Sequence, residues 1–172
     1  MNSKKWVTDM QIETPKLVLR PFVTEDQNIT IALLQNDAFM AYSPTGAMNA
    51  CQAQQRFEQL TFKSAIFGKL AIIEIATGHL IGYCGLEEYT YQQQTMLELG
   101  YRLTPEARGN GYAIEASRAV LNSAKQQGIE RVLALTEPDN VTSQKILLKL
   151  GFTSIDSGCY QGMPVEYFEK HL

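Results

Sequence analysis

The chain contains little cysteine and little histidine. Its three cysteines are widely spaced at Cys51, Cys84 and Cys159, and no C-x-x-C segment or Cys/His cluster occurs. This pattern predicts neither a disulfide framework nor a zinc site, so we expect no metal. The two histidines are poorly placed for acid–base chemistry, because His79 falls in a predicted turn and His171 is the penultimate residue.

Long apolar runs and an excess of basic charge are also absent. No stretch approaches the ~20 apolar residues of a membrane-spanning helix, and polar residues follow the first six positions instead of an apolar signal core. The net charge of −3 and the scattered lysines and arginines argue against a nucleic-acid partner. We therefore expect a cytoplasmic, soluble protein without membrane or nucleic-acid partners.

The chain is long enough for one ordinary domain. Apolar residues make up 45% of its 172 residues, which is typical of a globular protein with a proper core. No linker and no internal repeat divides the sequence, so residues 1–172 are predicted to form a single domain, with residues 1–10 expected to be disordered.

Hydrophobic periodicity and turn residues predict an α/β domain with a mixed sheet. The predicted strands are 16–22, 69–75, 80–89, 97–103, 131–136, 152–158 and 165–169. The predicted helices are 25–35, 49–65, 114–127 and 141–150. Thr24-Glu25-Asp26-Gln27 has the pattern of a capping box and is expected to begin the first helix.

The most informative segment is the glycine-containing turn from Arg108 to Ala113, between a predicted strand and a predicted helix. Free backbone N–H groups and the helix macrodipole make such a turn a natural phosphate-binding site. It is not a P-loop, since no Gly-Lys-Ser or Gly-Lys-Thr occurs in the chain. Nor is it a dinucleotide fingerprint, because Ile114 occupies the third small position. A loop that merely connects strand to helix remains the alternative.

Arg108-x-x-Gly111-x-Ala113 resembles the pyrophosphate-binding motif of the GCN5-related N-acetyltransferase (GNAT) superfamily. Further segments are similar, in the same order, to RimJ/RimL-type members. They are residues 13–20, 81–86, 98–103, 140–143 and 147–152. The resemblance therefore covers most of residues 13–152.

The resemblance implies a GNAT fold, with a central, mostly antiparallel twisted sheet of six to seven strands flanked by about four helices. It implies an N-acetyltransferase that moves the acetyl group of acetyl-CoA to a primary amine by direct attack in a ternary complex. The acceptor would be a protein N-terminal α-amine or a small-molecule amine, and the enzyme a monomer or homodimer. The implied acetyl-CoA-binding residues are Tyr101, Leu103, Arg108, Gly109, Asn110, Gly111, Tyr112, Ala113, Asn140 and Ser143.

Glu98 is the candidate general base. Strand alternation places it with Gly100 and Arg102 on the face opposite the apolar residues of the same strand. A partly buried carboxylate there can accept the proton of an amine, directly or through a water. The alternative is a solvated residue or one paired with Arg102.

The general acid departs from the usual pattern of the superfamily. Leu147 stands where many members have a tyrosine, seven residues after Asn140, and the resemblance makes Ser143 the suggested substitute. Both Asn140 and Ser143 also suit an ordinary helix N-terminus. By resemblance, a strand bulge near Leu103 would expose a backbone N–H to the reacting carbonyl oxygen. The missing tyrosine supports an alternative function, a non-catalytic acyl-CoA-binding or regulatory module.

Overall fold

A computed structural model describes residues 11–62 and 67–172 of the protein. The strands are β1 Ile12–Glu13, β2 Leu17–Arg20, β3 Lys69–Glu74, β4 Leu80–Tyr91, β5 Gln94–Leu103, β6 Arg131–Thr136, β7 Thr153–Tyr160 and β8 Met163–His171. The helices are α1 Gln27–Leu34, α2 Ala50–Thr61, α3 Tyr112–Gln126 and α4 Val141–Lys149. The expectation of disorder at residues 1–10 lies outside the described residues.

One sheet contains every described strand, in the order β1-β2-β3-β4-β5-β6-β8-β7. All neighbours are antiparallel except β5 and β6, which are parallel. The mostly antiparallel α/β architecture with four α-helices is therefore confirmed. The described residues contain one strand more than the expected six to seven, because the two-residue β1 has no period long enough to recognise.

The helices cover the two faces of the sheet in pairs. Leu70, Ile72 and Cys84 pack in one core with α3 and α4. Ala71 and Tyr83, which alternate with them along β3 and β4, pack instead with residues of α1 and α2. Because neighbouring strand residues point to opposite faces, α1 and α2 lie on the face opposite α3 and α4.

The first helix begins differently from the prediction. Thr24–Asp26 forms a 3-10 turn, and α1 starts only at Gln27. The buried Asp26 carboxylate accepts the backbone N–H of Val23 and binds the Arg20 guanidinium at 2.7 and 2.9 Å. The predicted cap at Thr24 was wrong because this ion pair holds the turn.

The second helix begins at Ala50, one residue after the predicted start, because Asn49 is its N-cap. Asn49 and Gln52 form a reciprocal capping box before α2, each side chain bonding the other's backbone N–H. The helix ends at Thr61, and the expected continuation over residues 63–65 lies outside the described residues.

The sheet opens between β5 and β6. These two strands pair only at Leu97 with Val132 and at Glu98 with Leu133. Beyond this point β6 stays paired with β8 as far as Thr136, while the rest of β5 pairs with no described strand on that side. Because parallel strands end at the same edge, the gap opens towards the starts of α3 and α4.

The expected bulge near Leu103 is not seen in the pairing of β5 with β4. Ten successive pairs run from Gly82 opposite Leu103 to Tyr91 opposite Gln94 without a shift. The opening therefore comes from the early end of the β5–β6 pairing.

Gly85 lies in β4 between Lys69 of β3 and Gly100 of β5. A Cβ atom there would come 2.1 Å from the backbone oxygen of Gly68. We expect Gly85→Ala to cost about 1–3 kcal/mol through overpacking. At roughly 2–4 °C per kcal/mol, this lowers the thermal midpoint by about 5 °C in a calorimetric scan.

The matched control is Gly68→Ala, whose Cβ would meet no described atom within 4 Å. It should leave the midpoint within about 1 °C of wild type, as is usual for substitutions away from tight contacts. Equal midpoints for the two variants would contradict the close packing of β3 against β4.

Candidate active site

The turn before α3 presents a row of free backbone donors. Gly109 and Gly111 have φ angles of +79° and +78°, and Gly111 is the N-cap of α3. Such left-handed angles favour glycine at both positions. Within residues 11–62 and 67–172, no backbone N–H from Gly109 to Ile114 donates a hydrogen bond to the protein. These donors and the positive end of the α3 dipole together form an anion-binding surface.

The side chains of Arg108, Asn110 and Tyr112 form hydrogen bonds within the protein. The Arg108 guanidinium donates to the backbone oxygens of Ala38, at 2.6 Å, and of Leu103, at 3.3 Å. The Asn110 amide donates to the oxygens of Ala107 and Arg108. The structure therefore gives Arg108 and Asn110 a role in fixing the turn.

Tyr112 points its hydroxyl away from the turn. It donates to Glu74 Oε1 at 2.5 Å, and this bond, with one from Thr77, lowers the pKa of the Glu74 carboxyl. Of the polar groups of Tyr112, the backbone N–H is the one left at the turn.

A hydroxyl pair bridges the gap between β5 and α4. Asn140 caps α4 and accepts the backbone N–H of Ser143 at 3.1 Å. Ser143 Oγ lies 2.8 Å from the hydroxyl of Tyr101, which comes from β5. Burial raises the pKa of Tyr101, so its phenol keeps its proton at neutral pH. Leu147, one helical turn further on, is only 1% exposed and belongs to the core.

Glu98 belongs to a chain of four charges on the opposite face of the sheet. Its Oε2 lies 3.5 Å from Lys69 Nζ, which also lies 3.5 Å from Glu87 and donates to the Gly85 oxygen at 3.2 Å. Arg56 of α2 completes the chain with a 2.9 Å bond to Glu87. Burial raises the pKa of Glu98, and the Lys69 ammonium opposes this effect.

Sequence reasoning missed Lys69. The residue lies at the start of an apolar strand, and nothing in a one-dimensional pattern shows that its ammonium reaches Glu98 across β4. The alternative pairing of Glu98 with Arg102 was wrong, since Arg102 binds other groups.

Within the described ranges, no group of three or more His, Cys, Asp or Glu side chains is arranged to hold a metal ion. Likewise, none of the described helices has the length and apolarity needed to cross a membrane.

Comparison with known proteins shows the family to which the chain belongs. Residues 16–153 match the family model of the acetyltransferase (GNAT) domain. The chain belongs to the GNAT family. It is therefore an acetyl-CoA-dependent acyltransferase, and the expected superfamily is confirmed.

Individual relatives agree with this assignment. The Bacillus subtilis protein YkkB is 30% identical over 99% of this chain and 98% of its own length. A GNAT-family acetyltransferase from Bacillus anthracis has a similar structure, with a TM-score of 0.81 and 21% identity over 94% of this chain and 98% of that one. The ribosomal-protein-S5-alanine acetyltransferase of Vibrio fischeri has a TM-score of 0.74 and 21% identity over 95% and 97% of the two chains. The two solved structures show a shared fold.

On the Glu98 face of the acetyltransferase, Arg102 clamps the segment that follows α1. Its guanidinium donates to the backbone oxygens of Phe39, at 2.9 Å, and Ala41, at 2.7 Å, and to the Tyr83 hydroxyl at 3.2 Å. The Phe39 and Tyr83 rings meet edge to face. The clamp gives the segment a defined position beside the end of β5.

Tyrosines line the other side of Glu98. Tyr89 contacts the ring of Tyr160 at 5.5 Å between centroids, and its hydroxyl lies 2.9 Å from that of Tyr167. Tyr91 packs on Tyr167 at 4.8 Å. Glu98 therefore lies between an aromatic surface and the clamped segment.

We expect Arg102→Met to loosen residues 38–46. The change removes two charge-assisted hydrogen bonds to carbonyl oxygens, of which each is worth about 1.5–3 kcal/mol. Amide hydrogen exchange at Met40 and Ser43, whose N–H groups donate to the oxygens of Asn36 and Met40, should become about tenfold faster or more. Arg118→Met, on the exposed surface of α3, is the control and should leave these rates unchanged. Equal exchange in all three proteins would refute the clamp.

Proposed function

We propose that acetyl-CoA binds along the gap between β5 and β6, with its pyrophosphate at the turn before α3. The observation that carries this proposal is the row of free N–H groups from Gly109 to Ile114, at the edge where the two strands separate. The unpaired side of β5 after Glu98 offers further backbone donors and acceptors to the amide groups of the pantetheine arm. Leu103 and Asn140 lie at the two sides of this opening.

The proposed reaction is direct acetyl transfer to an amine in the ternary complex. Bound acetyl-CoA supplies a thioester, whose carbonyl carbon forms a bond to the amine nitrogen as its bond to sulfur breaks. Glu98 accepts the proton that the nitrogen loses, directly or through a water. Partial burial suits Glu98 to this role, because it raises the pKa of the carboxyl towards neutrality.

We further propose that Ser143 and Tyr101 hold the leaving thiolate. Their hydroxyls lie 2.8 Å apart at the end of the gap, and one of them can donate outwards while accepting from the other. The pKa of a thiolate of this kind is roughly 8.5, so hydrogen bonds without a strong acid are sufficient help at neutral pH. In this proposal, Tyr101 supplies the phenol that many members of the superfamily have at the position of Leu147.

The acceptor class is proposed as a primary amine, either a protein N-terminal α-amine or a small molecule. The Vibrio fischeri neighbour, named for an alanine of ribosomal protein S5, supports testing N-terminal peptides first. We also propose a single catalytic domain acting in the cytoplasm as a monomer or homodimer. The continuous family match and the single sheet support one domain.

Glu98→Gln tests the proposed base. The variant keeps the shape of the side chain and loses its basicity, so kcat should fall by about 10²–10⁴-fold while acetyl-CoA still binds. Tyr101→Phe and Ser143→Ala each break the hydroxyl pair that supports the leaving thiolate. Since a hydrogen bond to a charged group is worth about 1.5–3 kcal/mol, each variant should lower kcat roughly 10–100-fold. The assay follows free thiol released from acetyl-CoA over a panel of amines and N-terminal peptides.

Two results would overturn this account. Tight binding of CoA by calorimetry, with no turnover of any acceptor by the wild type, would indicate the non-catalytic binding module. Full activity of Glu98→Gln would remove Glu98 from the chemistry while leaving the enzyme assignment intact.

Gly111→Ala tests the proposed pyrophosphate site. A left-handed conformation costs an L-residue about 1–2 kcal/mol, so the substitution should distort the turn and weaken CoA binding about tenfold in calorimetry. Gly128→Ala is a close control, because Gly128 has a φ angle of +82° just beyond the other end of α3. It should bind CoA as wild type does. Equal affinities of all three proteins would exclude this turn as the site.

A further inference from the structure

Lys69 lies in an unfavourable place for a lysine. The residue is 7% exposed, and its ammonium lies on the face of the sheet that α2 covers. Burying an unpaired ammonium is costly, so the surrounding groups must compensate for its lost hydration. Glu87, Glu98 and the Gly85 oxygen surround it within 3.5 Å. These contacts keep Lys69 protonated, and its pKa is raised despite burial.

The backbone makes room for this ammonium. A Cβ atom at Gly100 would lie 2.5 Å from Lys69 Nζ and 3.3 Å from Glu98 Oε1. Any larger residue at position 100 would push the ammonium and the carboxylate apart. Gly100 therefore gives Lys69 access to Glu98, a contact between β3 and β5 that passes over β4.

The groups that face Glu98 come from several elements. They are Lys69 from β3, Glu87 and Tyr89 from β4, Arg56 from α2 and Tyr160 from β7. Glu87 repels a negative charge on Glu98, and Arg56 is bonded to Glu87. Among the described residues, Lys69 is the cation that contacts both carboxylates.

We propose that Lys69 is a positioning residue that keeps Glu98 ionised and directed towards the acceptor amine, with Glu87 and Arg56 holding Lys69 in place. The inference rests on the proposed role of Glu98 as the base. Lys69 does not touch the reacting atoms: Glu98 takes the proton from the amine and later releases it to solvent, while Lys69 keeps its own.

The sign of the effect follows from the charges. Burial and Glu87 both raise the pKa of Glu98, and Lys69 lowers it. Removing the ammonium therefore raises the pKa of Glu98 further and lowers its ionised fraction near neutral pH. The activity needs the ionised carboxylate. As the pH is lowered, activity should therefore be lost at a higher pH than in the wild type.

The first experiment measures the Glu98 carboxyl directly, by a pH titration of its ¹³C chemical shift. Lys69→Met keeps the length of the side chain and removes the charge. The pKa of Glu98 should rise by about one unit or more, the usual size for a lost opposite charge at this distance. Lys125→Met, an exposed lysine near the end of α3, should leave it unchanged. The same pKa in all three proteins would overturn the proposal, whatever the acceptor is.

The second experiment follows kcat against pH with an acceptor found in the amine panel. In Lys69→Met the acidic limb should move up by about one unit, which is about a tenfold loss at a fixed pH on that limb, with KM for acetyl-CoA unchanged. An unchanged limb in an active variant would contradict the role of Lys69. An inactive wild type would instead contradict the proposed function. The titration of Glu98 would still test the role of Lys69 in that case.

Gly100→Ala provides an independent variant if Lys69→Met does not fold. It keeps every charge but displaces the ammonium from Glu98, since the flexible end of Lys69 is the group that must move. The pKa of Glu98 should shift in the same direction as in Lys69→Met. An unshifted pKa in a folded Gly100→Ala protein would also overturn the proposal.

Discussion

The early end of the pairing between β5 and β6 is the constraint on which the rest of the site depends. After Glu98 and Leu133 the two strands separate, because β6 follows β8 while β5 follows β4. The separation opens the sheet where parallel strands deliver the N-termini of α3 and α4. The unpaired side of β5 results from this separation, the Tyr101–Ser143 hydroxyl pair spans it, and the free backbone donors of the turn before α3 lie at its edge.

From Glu98 onwards, the residues of β5 alternate between the two faces of the sheet. Tyr101 and Leu103 point towards α3 and α4, where we place acetyl-CoA. Glu98 and Arg102 point towards α1 and α2, the side from which the proposed base would take the proton of the amine. A donor and an acceptor can thus approach the same strand end from opposite sides, which suits direct transfer without a covalent enzyme intermediate. Charges on the acceptor side, with Lys69 between two carboxylates, then decide the protonation state of the base.

Local chemistry explains which features were predictable. The turn from Arg108 to Ala113, the cap at Asn140 and the alternation around Glu98 depend on neighbouring residues, so the sequence indicates them directly. The Lys69–Glu98 contact and the Tyr101–Ser143 bond join residues 29 and 42 positions apart, and pairing register decides them. The predicted cap at Thr24 was wrong because the Arg20–Asp26 ion pair holds the turn, and this pair depends on where β2 ends. Where β5 leaves β6 is likewise a property of the whole sheet.

The most direct test of the central claim is to map acetyl-CoA on the protein by backbone amide chemical shifts. The account predicts that the largest changes fall on residues 109–114, on residues 99–104 along the free side of β5, and on the start of α4, with small changes across α1 and α2. Changes concentrated on α1 and α2, or spread evenly without saturation, would contradict a donor site built on the separation of β5 and β6.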